Sequence, residues 1–325
     1  MSAYPLRLEN FLQSRKENTT ERLNAEYRNA LATVLFRHNK REQAYAEWDA
    51  LMRECPDPGV RIVLQYAETL LFANDVYKTI AVLEQGLKRY PESQELLYAL
   101  IPAYLYTGNL EKSLKTCLQL PDGFEKDQCL IDLLCMGGEY ELAYTLGSKW
   151  MKKISPEVLK QKEIRPFRRN YLSTLIFLEK TGELKKEAEA YLLLYPDDAA
   201  ILNGVGYVLT DQNMDLDLAE KYLVRARKLQ PDDGAIADSL AWLYYRQGKI
   251  DAAKKEMFQA LVLLDSDITA EVMEHAGDIL AAGKDPDAAE YYWSTALTLL
   301  PENHKAELDR KERLLKKLDR KEPQK

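Results

Sequence analysis

The sequence predicts an all-α fold, a solenoid of stacked helical hairpins, and three observations predict it. Apolar residues recur at helical spacing almost throughout the chain. The periodic stretches are broken at regular intervals by Pro, Asp and Gly, as in YPES, YPDD, QPDDG and LPEN, where a helix cannot continue. Small or apolar positions also repeat in register: Ala32, Ala67 and Ile101 are 35 and 34 residues apart, and Gly206, Ala241 and Gly277 are 35 and 36 apart.

Taken in order, residues 1–24 read as an N-terminal helical segment, and residues 25–154 as degenerate repeats. Ala32, Ala44, Trp48, Leu51 and Pro56 mark one unit, and Ala67, Leu70, Thr79, Leu83, Gly86 and Pro91 a second. Leu97, Leu100, Ile101, Tyr104, Gly108, Ser113 and Cys117 mark a third, closing early at Pro121; Leu130, Ile131, Leu134, Gly138 and Ala143 mark a fourth. Residues 155–166, SPEVLKQKEIRP, interrupt the period as a basic hinge or an extra helical turn. Repeats resume over 167–301, first around Tyr171, Leu175, Leu178, Gly182 and Ala188.

The best copies lie in 199–301. One reads Leu202, Val205, Gly206, Leu209, Ala219, Leu223, Ala226 and Pro231. The next reads Ala237, Leu240, Ala241, Tyr244, Gly248, Ala253, Met257 and Ala260, with Asp265 in place of Pro; the third reads Met273, Ala276, Gly277, Leu280, Ala289, Trp293, Ala296 and Pro301. The reason for these residues is steric. Two antiparallel helices that cross closely need Gly or Ala at the crossing, with larger groups such as Leu223 and Trp293 filling the groove beside it. Residues 302–325 read as a C-terminal capping helix and tail, offering Leu308, Leu315 and Leu318 to the last apolar face.

These copies carry the pattern of the tetratricopeptide repeat, and the chain resembles that family over residues 25–301, in about eight units. The resemblance implies a right-handed superhelix whose first helices line a concave surface. Carried onto this sequence, that surface holds Asn203, Tyr207, Asp238, Trp242, Tyr245, Arg246, Glu274 and Asp278 as partner-binding residues. The family's two-carboxylate clamp for a peptide C-terminus is matched only by Asn203 and Arg246, while Asp238, Glu274 and Asp278 would repel a carboxylate. The C-terminal stretches LNGVGY, DSLAWLYYRQG and EHAGDIL look like those of bacterial envelope-associated repeat proteins.

Composition narrows the function classes. The chain is 46% hydrophobic and 30% charged with a net charge of -7, which disfavours nucleic acid as a partner. A secondary basic patch stands out locally, at Lys149, Lys152, Lys153, Arg165, Arg168 and Arg169. The sequence has no glycine-rich phosphate loop, no nucleophile elbow and no H-E-x-x-H, so no catalytic residue is expected. Four cysteines and three histidines lack metal-ligand spacing, so neither metal nor cofactor is expected. Cys117 and Cys129 lie six residues either side of Gly123, so antiparallel helices would bring them face to face, as a bridge or as two reduced thiols.

The predicted function is a non-catalytic protein–protein interaction scaffold or adaptor that binds a peptide or protein segment in the concave groove. In its finer form this is a bacterial complex-assembly factor. Two alternatives stay open, an RNA-binding helical repeat using residues 149–169 and a non-catalytic subunit of an enzyme complex. The expected location is cytoplasmic as the chain stands, or periplasmic or outer-membrane-associated if a leader was removed; the oligomeric state is open.

Overall fold

A computed structural model describes the backbone of residues 21–300 and 305–319, and the side chains of 24–300 and 308–319. Most of the N-terminal segment 1–24 and the tail beyond 319 therefore lie outside the described residues. Among the described residues there are seventeen α-helices and no strand. They run α1 (Glu21–Arg37), α2 (Arg41–Glu54), α3 (Val60–Phe72), α4 (Val76–Arg89), α5 (Gln94–Tyr106), α6 (Leu110–Cys117), α7 (Phe124–Met136) and α8 (Tyr140–Met151). After two 3₁₀ turns at Val158–Lys160 and Lys162–Ile164 come α9 (Arg165–Phe177), α10 (Thr181–Leu192), α11 (Ala199–Asp211), α12 (Leu216–Leu229), α13 (Gly234–Arg246) and α14 (Ile250–Leu264). The series closes with α15 (Ala270–Ala282), α16 (Pro286–Leu299) and α17 (Lys305–Asp319). None of these helices is long and apolar enough to cross a membrane.

One turn recurs at every odd-to-even step. Asn39, Asn74, Gly108, Gly138, Glu179, Asn213, Gly248 and Lys284 all have positive φ, the left-handed cap that ends a helix. In seven of the eight turns the amide one residue further on bonds back to a carbonyl five residues earlier, as from Asp75 to Leu70 and from Asp285 to Leu280. Gly and Asn tolerate this conformation; Glu179 and Lys284 carry a steric cost there. Lys284 is exposed, so Lys284→Gly is expected to stabilise the chain by up to about 1 kcal/mol. A rise in the melting temperature checks this, and a fall would show that the Lys284 side chain itself contributes.

Where the helices of a pair cross, small residues sit fully buried, as with Ala32 and Ala44, or Ala241 and Ala253. The choice between Gly and Ala follows the residue opposite. A Cβ on Gly206 would lie 2.6 Å from the Leu223 side chain, and one on Gly277 would run into Trp293. In the middle copy the equivalent pair is Ala241 and the more adaptable Met257.

The chain divides into two compact units, residues 1–138 and 139–325. This departs from the sequence reading in two ways. The fourth expected repeat is split at its turn: α7 packs on α6 in the first unit, and α8 packs on α9 in the second. The interruption at 155–166 is no boundary, because Ile164 is buried and Arg168 donates to the Leu159 carbonyl at 3.1 Å, pinning the 3₁₀ turns to α9.

In the first unit the core runs from Leu31 and Trp48 through Tyr66, Leu83 and Leu96 to Tyr104, with a second cluster around Leu97, Ile101, Cys117 and Leu133. Cys117 is buried and its thiol meets that of Cys129 across the α6–α7 turn, both unbridged. In the second unit a cluster from Tyr171 to Leu243 is followed by one around Ala241, Met257 and Ile279. The last cluster joins Leu280, Ala289, Trp293 and Ala296 to Leu314 of α17. The capping face thus uses Leu314, with Leu318 partly buried, while Leu308 and Leu315 are 58% and 45% exposed. That corrects the expected register of the last helix.

Candidate functional site

The strongest convergence of charged and aromatic side chains in the second unit lies where the first helices α11, α13 and α15 run side by side. Helical spacing places their functional residues on one face: Tyr207 and Asp211 on α11, Asp238, Trp242, Tyr245 and Arg246 on α13, and Glu271, Glu274, His275 and Asp278 on α15. A cavity of about 500 Å³ is lined by Glu179, Tyr207, Asp211, Trp242, Glu271, Glu274, His275 and Asp278. Its remaining wall is Asp309, Arg310, Arg313 and Lys317 of α17.

At the centre is an aromatic stack. Trp242 is 7% exposed, its ring 4.1 Å from that of His275 and 4.9 Å from that of Tyr245. The indole N–H donates to Asp211 Oδ1 at 3.1 Å, and Arg246 donates to the Asp211 carbonyl at 3.0 Å. The buried His275 Nδ1 lies 3.0 and 3.2 Å from the two Asp238 carboxylate oxygens. Burial alone would lower the imidazole pKa, but Asp238, with Glu271 and Asp278 nearby, holds it above its ordinary value. The Tyr207 hydroxyl donates to Glu271 Oε1 at 2.9 Å, reaching over the intervening repeat.

The rim is a set of ion pairs with α17. Arg310 bridges Glu271 and Glu274 at 3.0 Å each. Arg313 binds both oxygens of Glu274 at 3.2 Å, and Lys317 reaches Glu274 and Asp278 at 2.8 Å. Asp278 also accepts from the Trp293 indole at 3.0 Å. Glu274 is 4% exposed. Burial would raise its carboxyl pKa, yet Arg313 and Lys317 hold it down at about 2.

Six of the eight residues predicted for the concave surface fall in this neighbourhood with their polar groups engaged: Tyr207, Asp238, Trp242, Arg246, Glu274 and Asp278. Asp238, Trp242 and Glu274 are buried rather than open to solvent, because His275, Asp211 and α17 occupy their polar atoms. Tyr245 stacks at the edge, and Asn203 does not line the cavity; its buried Oδ1 has no partner. Sequence reading missed Asp211, Glu271, His275 and the three α17 cations. The signal for the last was the spacing of Arg310, Arg313 and Lys317 on one helical face, in a tail read for its leucines.

The secondary basic patch is not one surface. Arg168 is buried with its guanidinium 5.4 Å from the Tyr191 ring, and Arg165 and Arg169 pair with the buried Asp198 at 3.4 and 3.3 Å. Lys149, Lys152 and Lys153 are exposed, with Lys149 and Lys153 flanking the Trp150 ring. Among the described residues no three His, Cys, Asp or Glu side chains are placed to hold a metal ion.

Comparison with known proteins agrees with this architecture. Residues 239–304 match the family model for the tetratricopeptide repeat. Over 228 residues, 70% of its length, the chain is 26% identical to the TPR repeat-containing protein PA4667 of Pseudomonas aeruginosa. It spans only 27% of that relative. A tetratricopeptide repeat protein from Parabacteroides merdae superposes with a TM-score of 0.57 at 16% identity, covering 79% of this chain and 97% of that one. A chain of the Cut9–Hcn1 hetero-tetramer of APC/C gives 0.56 at 16% identity, covering 94% of this chain and 58% of that one. Matched segment, relative and fold agree: residues 239–304 match the tetratricopeptide repeat, and the chain has the all-α helical-hairpin fold of the solved tetratricopeptide repeat structure.

Proposed function

We propose that this chain is a non-catalytic scaffold or adaptor that holds a segment of another protein in the groove lined by α11, α13 and α15. Repeats of this family generally serve protein–protein contacts. The observation that carries the reading is the convergence of Tyr207, Trp242, Tyr245, Glu271, Glu274 and Asp278 from three successive repeats on one face. Rigid aromatic rings beside charged groups are the composition from which binding hot spots are built. The side chains are also preorganised by stacking and hydrogen bonds, which reduces the ordering cost of association. A place in a bacterial assembly complex is the finer form of this reading, and the bacterial relative supports only its bacterial part.

The test uses the full chain as bait and a partner identified by capture and mass spectrometry. Tyr245→Ala and Arg246→Ala are each expected to weaken capture of that partner by about 1 kcal/mol or more, measured well below the melting temperature of each variant because Tyr245 also stacks on Trp242 and Arg246 bonds Asp211. Retention by both variants, together with loss on Lys152→Glu and Lys153→Glu, would move the site to the basic segment.

A further inference from the structure

We infer that α17 is a removable occupant of the groove, and that the segment replacing it is a basic amphipathic helix with the spacing R-x-x-R-L-x-x-K. This deepens the groove reading and rests on it. Without α17, the repeats contribute Glu179, Asp211, Glu271, Glu274 and Asp278 to the cavity wall, and no Lys or Arg. Five carboxylates gathered on one wall repel one another unless cations are set among them, so the groove is built to hold cations. In this chain they come from Arg310, Arg313 and Lys317, at i, i+3 and i+7 of one helix. Leu314, between them, is the apolar contact, fully buried against Trp293 and Leu280.

The way α17 is attached argues that it exchanges. Its described side chains bury one leucine completely, whereas α16 beside it buries Ala289, Trp293 and Ala296. Beside Leu314 and the partly buried Leu318, its described contacts are ion pairs, and Arg313 is half exposed, within reach of salt and competing cations. A partner helix with the same three cations and apolar residues at the positions of Leu314 and Leu318 would reproduce these contacts.

The experiment is fluorescence anisotropy of a labelled peptide spanning residues 305–319. It is titrated with the wild-type full chain and with a full chain carrying Arg310→Glu, Arg313→Glu and Lys317→Glu. The variant, whose α17 the acidic wall repels, is expected to bind the peptide at least ten-fold more tightly than wild type and to ignore a scrambled peptide. Adding Glu274→Lys is expected to abolish that binding. Equal binding by wild type and a folded variant, or none by the variant, would overturn the proposal. Hydrogen exchange on the wild-type chain decides the matter without any variant. α17 amides exchanging at least a hundred-fold faster than those of α15 support exchange, and equal protection would make α17 a permanent cap. A wild-type dimer in sedimentation, lost in the triple variant, would assign the occupant to a second copy and overturn the partner assignment. Failure of any arm leaves the groove reading to its own test at Tyr245 and Arg246, so the two fail separately.

Discussion

Replacing Arg310, Arg313 and Lys317 together by Ala is expected to raise the Glu274 carboxyl from about 2 to at least its ordinary value of 4.5, with a stability loss of roughly 3 kcal/mol at neutral pH. Glu274 is the most deeply placed acid of the groove, and its three cations all come from α17. Its folded pKa lies below its unfolded one, so its contribution is complete above about pH 4.5 and fades as the pH falls toward 2. In the variant that acid-side loss should vanish, and it should reverse if the carboxylate stays buried, since protonation then relieves it. Urea unfolding at pH 7 and pH 4, with a side-chain NMR titration of Glu274, measures both. A carboxyl still titrating near 2 would mean that α15 and its neighbours, not α17, hold the charge.

The second large effect belongs to the other unit. Trp48→Ala is expected to cost about 3–5 kcal/mol, the range for removing a large buried aromatic. Trp48 is completely buried, stacks on Tyr66 at 5.0 Å, and donates from Nε1 to Asn29 Oδ1 at 2.9 Å. Asn29 in turn donates to Gln65 on α3, so one indole fixes α1, α2 and α3 together. Trp48→Phe separates the terms: it keeps most of the ring and loses the donor, for about 1–3 kcal/mol. Amide exchange should accelerate across α1–α4 and stay unchanged across α11–α16, because repeat arrays transmit stability mainly between neighbours. Uniform acceleration over both units would contradict that locality.

What could be read from the sequence was whatever each repeat settles by itself. The Gly and Ala crossings and the left-handed turns depend on residues within one hairpin, so Gly206, Ala241 and Gly277 marked three hairpins correctly. The groove was half legible for the same reason. Spacing put Trp242 and Arg246 on one helix face, but spacing holds no information about which polar atoms are already spoken for. Asp238 reads as a ligand-facing acid until His275, 37 residues on, is seen to occupy it. The last helix was misread because its leucines suggested one register while its cations and Leu314, matched to acids on α15, set another. The boundary at Gly138 was hidden because its turn has the same left-handed residue as every other.

The hydrogen bond from Tyr207 to Glu271 has a consequence for how the array comes apart. Most side-chain bonds between repeats in this chain link a hairpin to the next one, such as Trp242 to Asp211 over 31 residues. Tyr207 and Glu271 are 64 residues apart, so their bond vaults the hairpin α13–α14 and staples its flanks together. A stack held only by adjacent links frays one hairpin at a time from its free end. With this staple, α15–α16 cannot peel away without also breaking a contact to α11, which adds about 1 kcal/mol to the cost of fraying from that end and biases the last three hairpins toward opening together.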